Sequence, residues 1–346
     1  MSLPPGLRAR LAELYPGASI VRVVALHDDE TGGEAMKALG YGRPLKIELS
    51  GSRTVVFHTA RPDDFGHDRR SDRVGNLLLA FDTFGSVPHH VAPIDMGLVR
   101  DDGSLASLGG TGEPYLITSW VDGTLYADDL RRIGTSGVAS ADDIARAELL
   151  ARTLLEIHAA PGSHPGAYTR AIRDLLGHGE GIFGLVDSYP AGVVPAARLR
   201  AIEEACLAWR WKLRSRTGRL RRTHGDFHPF NLVFGANGVT LLDASRGSEG
   251  DPADDVACLS INYLFFGRGA GLAELWSAFW RTYLAGDTDD VLSAVAPFYA
   301  WRALVLASPL WFPHASTEDR DRILAFAERA LAAERFDPAW GLEAMQ

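Results

Sequence analysis

Lysine is almost missing from this 346-residue chain: Lys37, Lys46 and Lys212 are the only three, and arginine supplies the other basic side chains. Any step that needs an ammonium group has those candidates and no others. Cysteine is scarcer still, with Cys206 and Cys258 in apolar, helix-like surroundings and no CxxC spacing. Such residues read as buried free thiols, which excludes a disulfide framework or a cysteine-based zinc site and suits a reducing compartment. No run approaches the ~20 apolar residues that cross a bilayer. The N-terminal MSLPPGLRARLAELYPG lacks the apolar centre of a secretion signal, so a cytoplasmic protein with no membrane partner is expected. A basic surplus is absent too: the formal net charge is −9, which argues against a nucleic-acid partner and suits a neutral or cationic small substrate. The chain carries no internal repeat and no low-complexity tract, and oligomeric state leaves no mark on it.

Hydrophobic residues at 46% and charged residues at 23% leave ample material for a core, and the length favours two lobes over one. The first hundred or so residues read mainly as strands. ASIVRVVALH, RPLKIELSG and RTVVFHTA are short β-branched runs, with GSR at 51–53 as a hairpin turn between the last two. DRVGNLLLAFDTF reads as one helix, after which VAPIDMGLV and GEPYLITSWVDG resume strand character across the flexible DDGSLASLGGTG. Beyond about residue 125, ADDIARAELLARTLLEIHAA and AARLRAIEEACLAWRWKLRSR set a helical period that continues to the end, interrupted by LVF and VTLLD. The expected architecture is α+β: a sheet lobe with one helix over 1–113, a hinge over 114–124 and a mainly helical lobe over 125–346. The tryptophans from Trp209 to Trp311 are expected in the core.

Chemistry concentrates in RTHGDFHPFNLVF (222–234) and LLDASRGSEGDPADD (241–255). Gly225 and Pro229 keep the first segment off helix, so that Asp226 and Asn231 can converge. A hairpin around GAN then returns Asp243 beside Asn231. An acid, an amide and a second acid at strand ends make an oxygen site for a hard divalent ion such as Mg2+. Asp226 is left to orient, or take a proton from, an incoming hydroxyl. That division of labour suits phosphoryl transfer, which needs alignment, charge neutralisation and the handling of one proton. The spacing of His224, Asp226 and His228 does not make a zinc site, because no further histidine or cysteine completes the ligand set; His228 reads as a packing or capping residue. In GHGEGIFGLVDSYP (177–190), Glu180 and Asp187 are candidates to hold an ammonium group of the substrate.

HGDFHPFN followed by LLDASRGSEGDPADDVA resembles the aminoglycoside phosphotransferase and choline kinase-like family, whose fold is related to that of the protein kinases. The resemblance is specific over 224–257 and looser over most of the chain. It implies a two-lobed protein-kinase-like fold, with an antiparallel, nucleotide-binding sheet lobe and a helical lobe carrying the catalytic loop and the acceptor site. It implies a small-molecule kinase that moves the terminal phosphate of ATP or GTP to a hydroxyl. Asp226 matches the catalytic acid, and Asn231 and Asp243 match the magnesium ligands. His224 braces the loop, Asp255 ties the next helix to it, and Asp251 is a candidate to face substrate. The nucleotide base is expected along Tyr115 to Val121, which includes Trp120.

One element departs from the family pattern. Where the third strand normally carries a lysine, RTVVFHTA has His58, and the following helix has no glutamate. The phosphate-binding charge is therefore expected from Lys37 with Gly40 and Gly42, or from Lys46, with Arg53 and Arg61 as further candidates. The departure motivates an alternative, a catalytically inactive kinase-like binding or regulatory protein; transfer of the nucleotide moiety is a third reading.

Overall fold

Contacts divide the chain into two units, Met1–Ile117 and Thr118–Gln346, and the division falls inside the 114–124 segment. The structure, a computed structural model, describes residues 3–25, 44–63, 66–110 and 112–346. In the N-terminal unit, helix α1 (Pro5–Leu14) precedes strands β1 (Ile20–Ala25), β2 (Leu45–Leu49) and β3 (Arg53–Phe57). These strands form one antiparallel sheet in the order β1-β2-β3, with Ile47 opposite Val23 and Val55. Alternation along β2 buries Leu45, Ile47 and Leu49 against Leu7 and Leu11 of α1 and leaves Lys46 and Glu48 on the opposite face. The GSR hairpin forms as read, with Gly51 and Ser52 at positive φ. Helix α2 (Arg70–Thr83) follows, then the hairpin of β4 (Gly97–Val99) and β5 (Leu105–Ser107).

Two expectations for this part of the chain are corrected. A second helix, α1, occupies the N-terminus: Pro5 suits its first turn and the spacing of Leu7 and Leu11 supplies an apolar face for β2. The strand read over GEPYLITSWVDG is irregular, and pairing resumes only at β6 (Thr124–Leu125). Side-chain pattern alone does not supply a ladder partner.

The C-terminal unit contains α3 (Tyr126–Ser136), α4 (Ala141–His158), α5 (Pro165–Gly177), α6 (Ile182–Ser188) and α7 (Ala196–Leu213) before the catalytic segment. Within and after that segment come β7 (Arg221–Arg222), β8 (Leu232–Gly235), β9 (Gly238–Leu241) and β10 (Glu249–Gly250). Then follow α8 (Pro252–Phe265), α9 (Ala270–Gly286), α10 (Ala296–Ala307), α11 (Thr317–Ala332) and α12 (Ala339–Ala344). Helices α8 and α10 are apolar on nearly every side and correspondingly buried almost throughout. Tyr299 of α10 joins Trp276, Trp280, Phe326 and Phe336 in an aromatic cluster with ring centroids about 5–6 Å apart. Trp209 and Trp301 are buried as expected, whereas Trp211 and Trp311 are 61% exposed; the helical period places Trp211 on the solvent side of α7. Both cysteines are buried and free. No helix among the described residues is long and apolar enough to cross a membrane.

Candidate active site

The candidate segment, 222–255, is held by backbone pairing before any side chain acts. β8 and β9 form a hairpin turning through Ala236 and Asn237, in a register that sets Leu232 opposite Leu241. The Leu242 N–H donates to the Asn231 carbonyl at 2.9 Å, so Asn231 and Asp243 sit one step apart across the ladder. Asp243 then adopts a left-handed backbone, φ 52°, which an aspartate tolerates better than most residues and which ends the strand. The chain folds back so that the Ser245 N–H donates to the His224 carbonyl at 2.8 Å and the Thr223 N–H to the Ser248 carbonyl at 3.1 Å. Gly225, at φ 81°, allows this approach: a Cβ there would lie 2.7 Å from the Ser245 carbonyl oxygen.

A second set of bonds anchors the loop from α8. Asp255, fully buried, accepts from the His224 N–H and the Gly225 N–H, each at 2.8 Å. His158, at the end of α4, lies 3.1 Å from the same carboxylate through Nε2 and 2.9 Å from the Tyr283 hydroxyl through Nδ1. Burial pushes the Asp255 carboxyl up, but His158 and the two backbone donors outweigh it and hold the group below its usual range. Asp251 is 1% exposed and committed elsewhere. It caps α8 through the Ala253 N–H, receives a bidentate pair from Arg219 at 2.7 and 2.8 Å, and accepts from Tyr168. With its oxygens occupied inside the fold, Asp251 is a framework residue rather than a substrate-facing one.

Asp226 is the partly open carboxylate of the loop, its side chain 30% exposed. Its Oδ1 accepts from Arg302 Nη1 at 2.9 Å, and Arg246 Nη2 approaches within 3.8 Å. Its Oδ2 faces His228 Nε2 at 3.3 Å and Asn231 Nδ2 at 3.4 Å. His228 Nδ1 accepts from the Phe230 N–H, so in a neutral ring the proton sits on Nε2 and points at Asp226. His224 Nδ1 likewise accepts from the Asp226 N–H, which fits a bracing role. Burial pushes the Asp226 carboxyl up; the bond from His228 and the charges of Arg302 and Arg246 outweigh it and hold the group well below the usual carboxylate range. It is an anion at any physiological pH.

Asn231 is buried, and its amide N–H donates to Asp226, both to the backbone carbonyl at 3.1 Å and to Oδ2. That leaves Oδ1 as an acceptor with no hydrogen bond from the described residues. Asp243 is exposed and its carboxylate is likewise without a hydrogen bond there. One amide oxygen and one carboxylate fit a magnesium ion that keeps water and takes its other ligands from phosphate. Among the described residues there is no group of three or more His, Cys, Asp or Glu side chains suited to a metal.

The remaining predicted residues each have their own local partners or face solvent. Glu180 carries an exposed side chain, but its backbone carbonyl accepts from Trp301 Nε1 at 2.7 Å, and the Trp301 ring lies 4.1 and 4.3 Å from the guanidinium carbons of Arg302 and Arg246. Asp187 is exposed on α6, and its charge, after burial, pushes up Glu203 of α7. Lys46 pairs with Glu48 at 3.0 Å on the face of β2 away from the core. His58 is exposed just past the end of β3. Trp120 donates its Nε1 to Asp122 at 2.9 Å. Lys37, Gly40 and Gly42 lie outside the described residues. The sequence reading missed Arg246, Asp254, Trp301 and Arg302. An arginine inside the otherwise apolar APFYAWRALVLA was the available signal, because a buried guanidinium demands partners.

The model of the phosphotransferase enzyme family matches residues 47–298, from β2 into α10. The chain belongs to that family. Solved structures similar to this phosphotransferase-family chain include a glucosamine kinase at 17% identity, covering 60% of this chain and 58% of that one, TM-score 0.39. The chain thus spans somewhat over half the length of that kinase. Others are the choline kinase LicA from Streptococcus pneumoniae (15% identity, 94% and 97% covered, TM-score 0.38) and an ethanolamine kinase from Plasmodium vivax (13%, 88% and 78%, TM-score 0.37). Among curated proteins no sequence matches significantly.

Proposed function

We propose that this phosphotransferase-family chain is a small-molecule kinase that moves the terminal phosphate of ATP, or of GTP, to a hydroxyl group. The observation that carries the reading is the placing of Asp226: a side chain 30% exposed, held on Oδ1 by Arg302, with Oδ2 beside Asn231 and His228. Such a carboxylate accepts a hydrogen bond from an acceptor hydroxyl and aims its lone pair at phosphorus. With so low a proton affinity it orients the hydroxyl first and takes the proton late, as a loose phosphoryl-transfer transition state allows. Asn231 Oδ1 and the Asp243 carboxylate would hold Mg2+, which supplies neutralisation of phosphate charge when bound. Lys46 is the described lysine proposed to serve the nucleotide, in place of the family's third-strand lysine. Glu180, tied through its carbonyl to the ring that supports both arginines, is the proposed contact for a cationic acceptor, an aminoglycoside being one candidate among amino sugars and amino alcohols. A cytoplasmic location goes with this reading.

His58 in the lysine position supports the rival, a nucleotide-binding protein without turnover. Release of ADP from MgATP, or of GDP from MgGTP, against amino sugars, amino alcohols and aminoglycosides separates the two, with Asp226→Asn as control. Turnover abolished by the substitution supports the kinase. Metal-dependent nucleotide binding with no product from any acceptor supports the rival.

A further inference from the structure

Arg302 lies on α10 beyond Phe298, where the family match ends, and its side chain is 9% exposed. We propose that Arg302 is the positioning residue of the catalytic carboxylate: its guanidinium pins Asp226 Oδ1 and the Gly225 carbonyl together and so presents Oδ2 to the acceptor hydroxyl. The inference rests on the kinase reading.

The geometry of the fork carries the argument. Nη1 donates to Asp226 Oδ1 at 2.9 Å, while Nη2 donates to the Gly225 carbonyl at 3.0 Å and to Asp254 Oδ1 at 2.7 Å. Acceptors on consecutive residues of the loop fix backbone and side-chain torsion at once. Asp254, buried on α8, balances the charge, and Trp301 sets the guanidinium plane from below at 4.1 Å. A packing role alone explains none of this. Leucine or methionine would fill the space without the desolvation that a buried cation entails, and an ammonium group lacks the planar fork that serves several acceptors. Buried as it is, Arg302 acts through Asp226 and does not touch substrate.

The test compares Arg302→Met, Arg302→Lys and the double variant Arg302→Met/Asp254→Asn, which removes the charge together with its buried partner. Arg302→Met is expected to lower kcat about 100-fold, the cost of misplacing a reacting group, with KM for ATP within about twofold. Arg302→Lys should recover roughly a tenth of the lost rate, for want of the fork. The double variant should regain the wild-type melting temperature while kcat stays low. Hydrogen exchange should quicken at amides 225–231 in both Met variants and not along α10. A double variant with wild-type kcat, or with unchanged exchange in the loop, overturns the proposal. A wild-type protein that releases neither ADP nor GDP with any acceptor refutes the kinase reading instead; the exchange of amides 225–231 then decides separately whether Arg302 holds the loop.

Discussion

Asp226 has its oxygens occupied by side chains from its own loop and from α10, whereas on the β2–β3 sheet Lys46 pairs only within its own strand. Asp226 has Arg302, His228 and Asn231 on its oxygens, and its loop hangs from a fully buried Asp255. Lys46, by contrast, pairs with Glu48 at 42% and 30% side-chain exposure, and His58 is exposed. One region fixes geometry with folding energy; the other supplies charge that water screens. Under the proposed kinase reading, the contrast sets a held carboxylate at Asp226 against a screened cation at Lys46. Placing a hydroxyl requires a rigid group, but attracting a polyphosphate requires only charge nearby.

The largest expected effect is at the rigid end. Asp226→Asn keeps the shape and removes the anion, and should lower kcat by about a thousandfold with an unchanged circular dichroism spectrum. Next comes Asp243→Ala, which should weaken magnesium-dependent nucleotide binding by on the order of 100-fold in calorimetry and leave metal-free binding as it was. Asp255→Asn should cost about 3 kcal/mol in urea unfolding, since the amide keeps one of the two oxygens that serve the His224 N–H, the Gly225 N–H and His158, and loses the charge beside His158. The solvent-facing end should respond far less: Lys46→Ala raises KM for ATP by less than about fivefold, the scale of a screened surface charge. An effect as large as that of Asp243→Ala would erase the contrast between the regions.

The smallest effect concerns acid stability. Asp143 caps α4 with Ser140 and pairs with Arg132; burial opposes ionisation, but these partners hold its carboxyl below the ordinary value of 3.8. Its contribution is therefore complete above 3.8 and is lost as pH falls through the lower folded value, where the unfolded chain binds more protons. Between pH 5 and pH 3, on either side of that 3.8, wild type should lose more unfolding free energy than Asp143→Asn does, as followed by urea titration.

What the sequence made legible was local. Gly225, Pro229 and the turn at Ala236–Asn237 dictate the shape of the catalytic segment from short-range torsional preferences, and Asp251 before Pro252 marks a helix start. The hairpin register follows from those, so Asn231 and Asp243 could be paired from spacing. Asp251 shows the boundary of that logic: it was read as a candidate to face substrate, but the Arg219 and Tyr168 that occupy its oxygens come from distant segments. Arg302 and Trp301 are a further case, since their place beneath Asp226 depends on how α10 packs against α8. On the sheet, the pattern located Lys46 and His58 but carried no information about which cation a phosphate would meet. The strand read over GEPYLITSWVDG failed for want of a pairing neighbour, which no local preference provides.

The central claim is that Asp226, Asn231 and Asp243 together make a phosphoryl-transfer centre. Its most direct test is mass spectrometry of acceptors incubated with MgATP and either wild-type protein or Asp226→Asn. The account predicts an acceptor heavier by one phosphoryl group with the wild type and none with the variant. An acceptor carrying a whole nucleotide, or equal phosphorylation by both proteins, would contradict it.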